Sequence, residues 1–180
     1  MHKRHSVSVA ASAALLLFAA IGFVGCDDTD EEGRVTVNVT LNEGGPIESD
    51  VTDGGVVFED FIPADFWLRP FNEFITAPRG DVIVESYRVT WVRTDGGTGV
   101  LAPREEEVNI YLPIDASMPI ESVVRLVTWQ DKTGPILGPL AGTTNTVVMQ
   151  VTVEFTCREP GTSSEIKTQA SATVHFADTV

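Results

Sequence analysis

The sequence predicts an all-β fold, an antiparallel sandwich of seven or eight strands, on three observations. Apolar residues recur at every second position in several separate stretches. Turn signals rich in Gly, Pro and Asp divide these stretches from one another. No stretch carries a convincing 3.6-residue apolar period, and no repeat of fixed length is visible. Period two with β-branched residues is the pattern of a half-buried strand, and many such strands with turns between them point to two packed sheets.

Taken in order, Arg34 to Leu41 alternates Val35, Val37, Val39 and Leu41 with Thr36, Asn38 and Thr40, a first strand. Gly44-Gly45-Pro46 and Asp53-Gly54-Gly55 mark turns. Val56 to Phe61 is a second strand. Ile62 to Pro78 holds Pro63, Pro70 and Pro78, which rule out a long helix and predict a loop with one short edge strand near Phe71 to Thr76. Val82 to Thr94 is the clearest strand, with Ile83, Tyr87, Val89 and Trp91 on one face and Ser86, Arg88 and Thr90 on the other. Asp95-Gly96-Gly97 closes it. Glu107 to Leu112 and Val123 to Trp129 follow, then a Gly-, Pro- and Thr-rich loop from Thr133 to Asn145. A long hairpin ends the chain. Its first strand, Thr146 to Cys157, turns Val147, Met149, Val151, Val153, Phe155 and Cys157 inward; in its second, Glu165 to Phe176, Ile166, Thr168, Ala170, Ala172, Val174 and Phe176 alternate with Lys167, Gln169, Ser171, Thr173 and His175.

The segment before the first strand reads differently. Met1-His2-Lys3-Arg4-His5 is basic, Ser6 to Gly25 has no charge, and Gly25-Cys26 is followed at once by Asp27-Asp28. Basic head, apolar middle and small-residue cleavage site make a secretory signal peptide over 1–25. Phe23-Val24-Gly25-Cys26 resembles the lipobox of bacterial lipoproteins, with Phe23 where that family usually has Leu. The resemblance implies cleavage after Gly25 and a diacylglyceryl thioether on Cys26. Several acyl chains on one residue would hold the chain to membrane lipid where one chain would be marginal. Residues 26–33 then form an acidic tether, extended by self-repulsion, and 34–180 form the β-domain. Asp27 is similar to the inner-membrane retention signal of enteric lipoproteins, a rule that varies among bacteria, so inner and outer membrane both stay open.

The β-domain has its own resemblance. Trp91 looks like the core tryptophan of immunoglobulin-like domains, and the last hairpin is similar to the closing strands of bacterial immunoglobulin-like and fibronectin type III-like modules. The likeness is architectural, covers Val35 to Phe176, and implies an immunoglobulin-like sandwich. The inter-sheet cysteine pair of antibody domains is absent.

Composition narrows the partners. The 155 residues from Cys26 onward suffice for one domain with a proper core. The full chain carries a formal charge of −14. A nucleic-acid partner is excluded on that ground, since phosphate binding needs a basic surface. With Cys26 acylated, Cys157 has no second cysteine to pair with, and sites built from several cysteines are ruled out by count.

Candidate catalytic groups are few. His175, the one histidine after the signal peptide, falls on the outward face of the last strand. There is no G-x-S-x-G elbow and no phosphate cradle of the G-x-x-x-x-G-K type. Cys157 falls inside by parity. Glu105-Glu106-Glu107, with Asp95 or Asp131, could hold calcium, although adjacent like charges are more often simply solvated. No catalytic residue, cofactor or metal is assigned. The aromatic distribution stands out instead: Phe58, Phe61, Phe66, Trp67, Phe71 and Phe74 crowd one segment. Phe66, Trp67, Arg69 and Phe71 are the candidate interaction surface, because Trp beside Arg is favoured at binding hot spots. The reading is a lipid-anchored lipoprotein of the cell envelope, its domain outside the cytoplasm. It acts as a non-catalytic binding or scaffolding module for an envelope protein or glycan. The rivals are a carbohydrate- or ligand-binding module and an envelope hydrolase with an unrecognised site.

Overall fold

The computed structural model describes residues 35–71 and 80–178. Gly25, Cys26, the acidic tether and Phe74 lie outside the described residues. Eight strands run in chain order: β1 (Val35–Leu41), β2 (Ile47–Asp50), β3 (Asp60–Pro70), β4 (Val82–Arg93), β5 (Arg104–Leu112), β6 (Ile120–Val127), β7 (Val147–Arg158) and β8 (Glu165–Ala177). One short helix, α1 (Trp129–Thr133), follows β6. The strands form two sheets, β1-β3-β6 and β2-β8-β7-β4-β5. All pairings are antiparallel except β2 with β8, which run parallel. Among the described residues no helix is long and apolar enough to cross a membrane.

The inner faces carry the alternation read from the sequence. Val35, Val37 and Leu41 of β1 and Ile62, Ala64 and Phe66 of β3 face Val89, Trp91, Val151, Val153, Phe155, Ala172, Val174 and Phe176 of the larger sheet, all buried. Phe66 meets Phe155 edge to face, ring centres 5.0 Å apart, and Tyr87 packs on Phe155 at 6.0 Å. Trp91 lies 5.8 Å from Phe176 at another part of the core. Cys157 is buried among them. In the final hairpin Val151 stands opposite Ala172 and Cys157 opposite Ile166, so the inward sets of β7 and β8 fall in register.

Four expectations are corrected. β3 is one continuous strand from Asp60 to Pro70, where a strand ending at Phe61 and then a loop were expected. Its prolines are tolerated because of where they stand. The ladder to β1 ends at Ala64, so at Pro63 the strand is paired only to β6, and Pro70 is the strand's last residue. Ile83 does not share a face with Tyr87. A β-bulge between Val84 and Ser86 shifts the register, so Val84 is the buried residue. β2 was not expected and its pairing is not antiparallel. Asn42, Glu43 and Gly44 all take positive φ, and the chain passes from the β1 sheet to the edge of the other one. Trp129 starts α1 and is not part of a strand. Thr128 and Asp131 form a capping box, with the Thr128 amide 2.9 Å from Asp131 Oδ2 and the Asp131 amide 3.2 Å from Thr128 Oγ1.

Phe155 touches both sheets' aromatic residues and is wholly buried. Phe155→Ala is expected to lower stability by about 3–5 kcal/mol in urea denaturation, from lost transfer energy and the cavity left behind.

Candidate interaction surface

The smaller sheet has two unlike faces. Inward go Ile62, Ala64, Phe66 and Leu68 of β3. Outward go Phe61, Pro63, Asp65, Trp67 and Arg69. Register adds their neighbours. Pro63 stands opposite Val123, Asp65 between Thr40 and Glu121, and Trp67 opposite Asn38. Phe61 is 57% exposed, Val123 64% and Trp67 38%. Trp67 lies six residue steps along the strand from Phe61, a run of about 20 Å at some 3.3 Å per residue. The outer face of the larger sheet is unlike it. There Thr90, Thr152 and Ser171 form a row of hydroxyls, with Thr152 Oγ1 2.9 Å from Ser171 Oγ.

The candidate residues separate accordingly. Trp67 and Arg69 share the outward face of β3, and Phe71 is exposed just past the strand end. Phe66 is 1% exposed and belongs to the core, which removes it from the surface. Its neighbour Trp67 is exposed because strand parity alternates. Phe61, Asp65, Glu121 and Val123 were missed. The signal was present, since Ile62, Ala64, Phe66 and Leu68 alternate, but the prolines hid a strand there.

Two polar clusters hold this sheet to the other one. Glu106 of β5 shares the inner side with Tyr87, which donates to Glu106 Oε2 at 2.8 Å. Arg125 of β6 donates to Glu106 Oε1 at 3.0 Å and also reaches Glu59 at 3.3 Å, while its backbone N–H donates to the Tyr87 hydroxyl at 3.1 Å. Arg104 joins from β5. Its Nε is 2.8 Å from Glu106 Oε1 as an ion pair without hydrogen-bond alignment; its other nitrogens donate to Asp131 and to the Arg125 and Leu126 carbonyls. β5 and β6 are edge strands of different sheets, so this cluster closes one side of the sandwich. The second cluster centres on Lys132 of α1, which is buried. Its Nζ donates to Asp60 Oδ1 at 2.6 Å and to the Asp50 carbonyl, and the Ser49 hydroxyl donates to Asp60 Oδ2.

The acidic run does not gather as a cation site. Glu106 turns in to its arginines, Glu105 and Glu107 take the opposite face of β5, and Asp95 is bound by Arg93 at 2.6 Å. Among the described residues no group of three or more His, Cys, Asp or Glu is placed to hold a metal. His175 lies on the outer face of β8 with Nδ1 3.1 Å from Glu48 of β2. Asp81, buried at the start of β4, accepts from the Tyr111 hydroxyl and from the Ile114 amide at 3.0 Å. These groups fix strand ends.

Burial, then the hydrogen bond to Glu106, pushes the Tyr87 hydroxyl up to about 12 from 10.0. Burial alone would raise Glu106, but hydrogen bonds from Arg125 and Tyr87 outweigh it and hold the carboxyl below its usual range. The native state therefore keeps the Tyr87 proton between pH 10 and 12, where the unfolded state loses it. The stability this gives is complete below pH 10 and is lost as pH rises toward 12. Glu106 acts at the other end: its contribution is present above the free carboxylate pKa and is lost as pH falls through its lowered value. Tyr87→Phe leaves the Arg125 amide without its acceptor and is expected to cost about 1–3 kcal/mol near neutral pH. The variant's urea midpoint should also fall less than the wild type's between pH 10 and 12. No family model, curated protein or solved structure matches this chain.

Proposed function

We propose that the chain is a lipid-anchored lipoprotein of the cell envelope whose β-domain, held outside the cytoplasm, works as a non-catalytic binding module. The observation that carries the binding role is the outer face of β1-β3-β6, where Phe61, Val123 and Trp67 stand exposed beside one another's strands. Isolated exposed apolar residues are ordinary, but a row of them along a sheet face marks a surface used for contact. The anchor rests on Gly25-Cys26 after an uncharged run and the basic head. The tether of Asp27 to Gly33 would let the face reach a partner away from the lipid.

The immunoglobulin-like reading draws support from the strand order. The first, third and sixth strands in one sheet, with the eighth, seventh and fourth consecutive in the other, follow the A-B-E and G-F-C arrangement of such sandwiches. Trp91 supports the reading only as a buried tryptophan on the fourth strand: it packs on Phe176 of the eighth, while Tyr87 of the same strand packs on Phe155 of the Phe66–Phe155 pair.

Two measurements test the proposal on the full-length protein in cells. Cys26→Ser is expected to abolish acylation and membrane retention, and intact mass of the wild type should begin at a modified Cys26; an uncleaved Met1 or a bare Cys26 removes the anchor. A photo-crosslinker placed at Asn38, on the outer face of β1-β3-β6, should yield discrete adducts that the same probe at Gln150, on the opposite outer face, does not. Equal adducts at both positions, or none at Asn38, defeat the binding face.

A further inference from the structure

The face described above carries a charge arrangement that its fold does not require. Asp65 of β3 and Glu121 of β6 are directly opposite on the same outward side. Like charges at such a cross-strand position destabilise a sheet. Neither carboxylate has a hydrogen bond or ion pair among the described residues. Other carboxylates of this part of the fold are matched: Asp60 to Lys132, and Glu59 and Glu106 to Arg125. The pair also interrupts the apolar row. Phe61, Pro63 and Val123 lie on one side of it along β3, and Trp67 lies on the other.

We propose that this face docks a basic segment of a partner protein, with an Arg or Lys side chain set over the Asp65–Glu121 pair between Phe61 and Trp67. The inference rests on the binding reading above and names its partner's chemistry. An apolar surface covering the face would bury two unpaired carboxylates, which desolvation strongly disfavours. Asp and Glu are depleted at interface centres for that reason. A cation there removes the repulsion between the two carboxylates. A guanidinium or ammonium is further favoured by aromatic faces nearby, and the stem of a long basic side chain covers apolar surface such as Val123. The net charge of −14 adds long-range attraction for a basic partner and speeds encounter. Arg69, beyond Trp67 on the same face, limits the acidic zone to the middle of the row.

The test separates this site from the general acidity of the protein. The full-length protein in detergent is titrated with a labelled peptide of alternating arginine and leucine, and with its glutamine–leucine counterpart. Asp65→Asn with Glu121→Gln should weaken arginine-peptide binding about tenfold or more, equivalent to about 1.4 kcal/mol. Glu105→Gln with Glu107→Gln changes the net charge equally on another strand and should alter it by less than about twofold. The Asp65/Glu121 variant should also melt no lower than wild type, since it removes a repulsion. Trp67→Ala should weaken binding without abolishing its salt dependence. Equal weakening by both charge pairs, binding of the glutamine peptide as tight as the arginine peptide, or a lowered melting midpoint in the Asp65/Glu121 variant overturns the proposal. Crosslinks at Asn38 to a glycan or to a protein segment without Arg or Lys overturn it too, while leaving the binding face itself standing.

Discussion

The contact between Phe66 and Phe155 is the one on which the rest of the architecture depends. Each ring comes from a different sheet, one from β3 and one from β7, and they meet edge to face in a wholly buried position. Large aromatic side chains bury more surface than any other residue type, and this pair joins the two layers by side-chain packing alone. Strand parity does the remainder. Once Phe66 is fixed inward, Ile62 and Ala64 must follow it, and Phe61, Pro63, Asp65, Trp67 and Arg69 must face out. The exposed aromatic face is therefore the other side of the same alternation that builds the core. A one-residue slip would send Trp67 inward and Phe66 to solvent.

Apolar packing does not finish the edges of a sandwich, and here polar clusters do so. The Tyr87, Glu106, Arg104 and Arg125 cluster ties edge strand β5 of one sheet to edge strand β6 of the other. Lys132 does a similar job from α1, joining Asp60 at the start of β3 to the Asp50 carbonyl at the end of β2. Desolvating such charges is expensive, and the cost is met only where the remaining donors and acceptors are satisfied. Glu106 meets that condition with donors from Tyr87 and Arg125. Asp65 and Glu121 do not, and they lie on the solvent side, where water or a partner can serve them.

The alternating runs of β1, β4, β7 and β8 were legible in the sequence because each has one buried and one solvated face, which writes period two directly into residue type. The inward placing of Tyr87, Trp91, Val151, Phe155, Ala172 and Val174 followed from that parity and is what the fold contains. β3 was misread for the opposite reason. Its inward set alternates, but its outward face also carries Phe61 and Trp67 and it contains two prolines, which masked the period. Pro63 is acceptable because β1 ends at Leu41, opposite Ala64, a fact of pairing that no local rule supplies. The bulge at Val84–Ser86 likewise moves Ile83 to the other face without any local sign beyond an ordinary Glu.

The strand-rich character, the inward set of the long hairpin, the net negative charge and the Gly25-Cys26 motif depend on residue type and spacing alone, so all four are written in the chain. Tertiary structure decided which strands are neighbours, and with that which side chains meet. Asp65 and Glu121 are 56 positions apart in the chain and become opposed only when β3 pairs with β6. Glu106 finds Arg125, and Lys132 finds Asp60, only when two sheets are closed on each other. The physical reason is that a strand's own pattern fixes which face is buried, whereas its partner and register are set by packing across the whole domain.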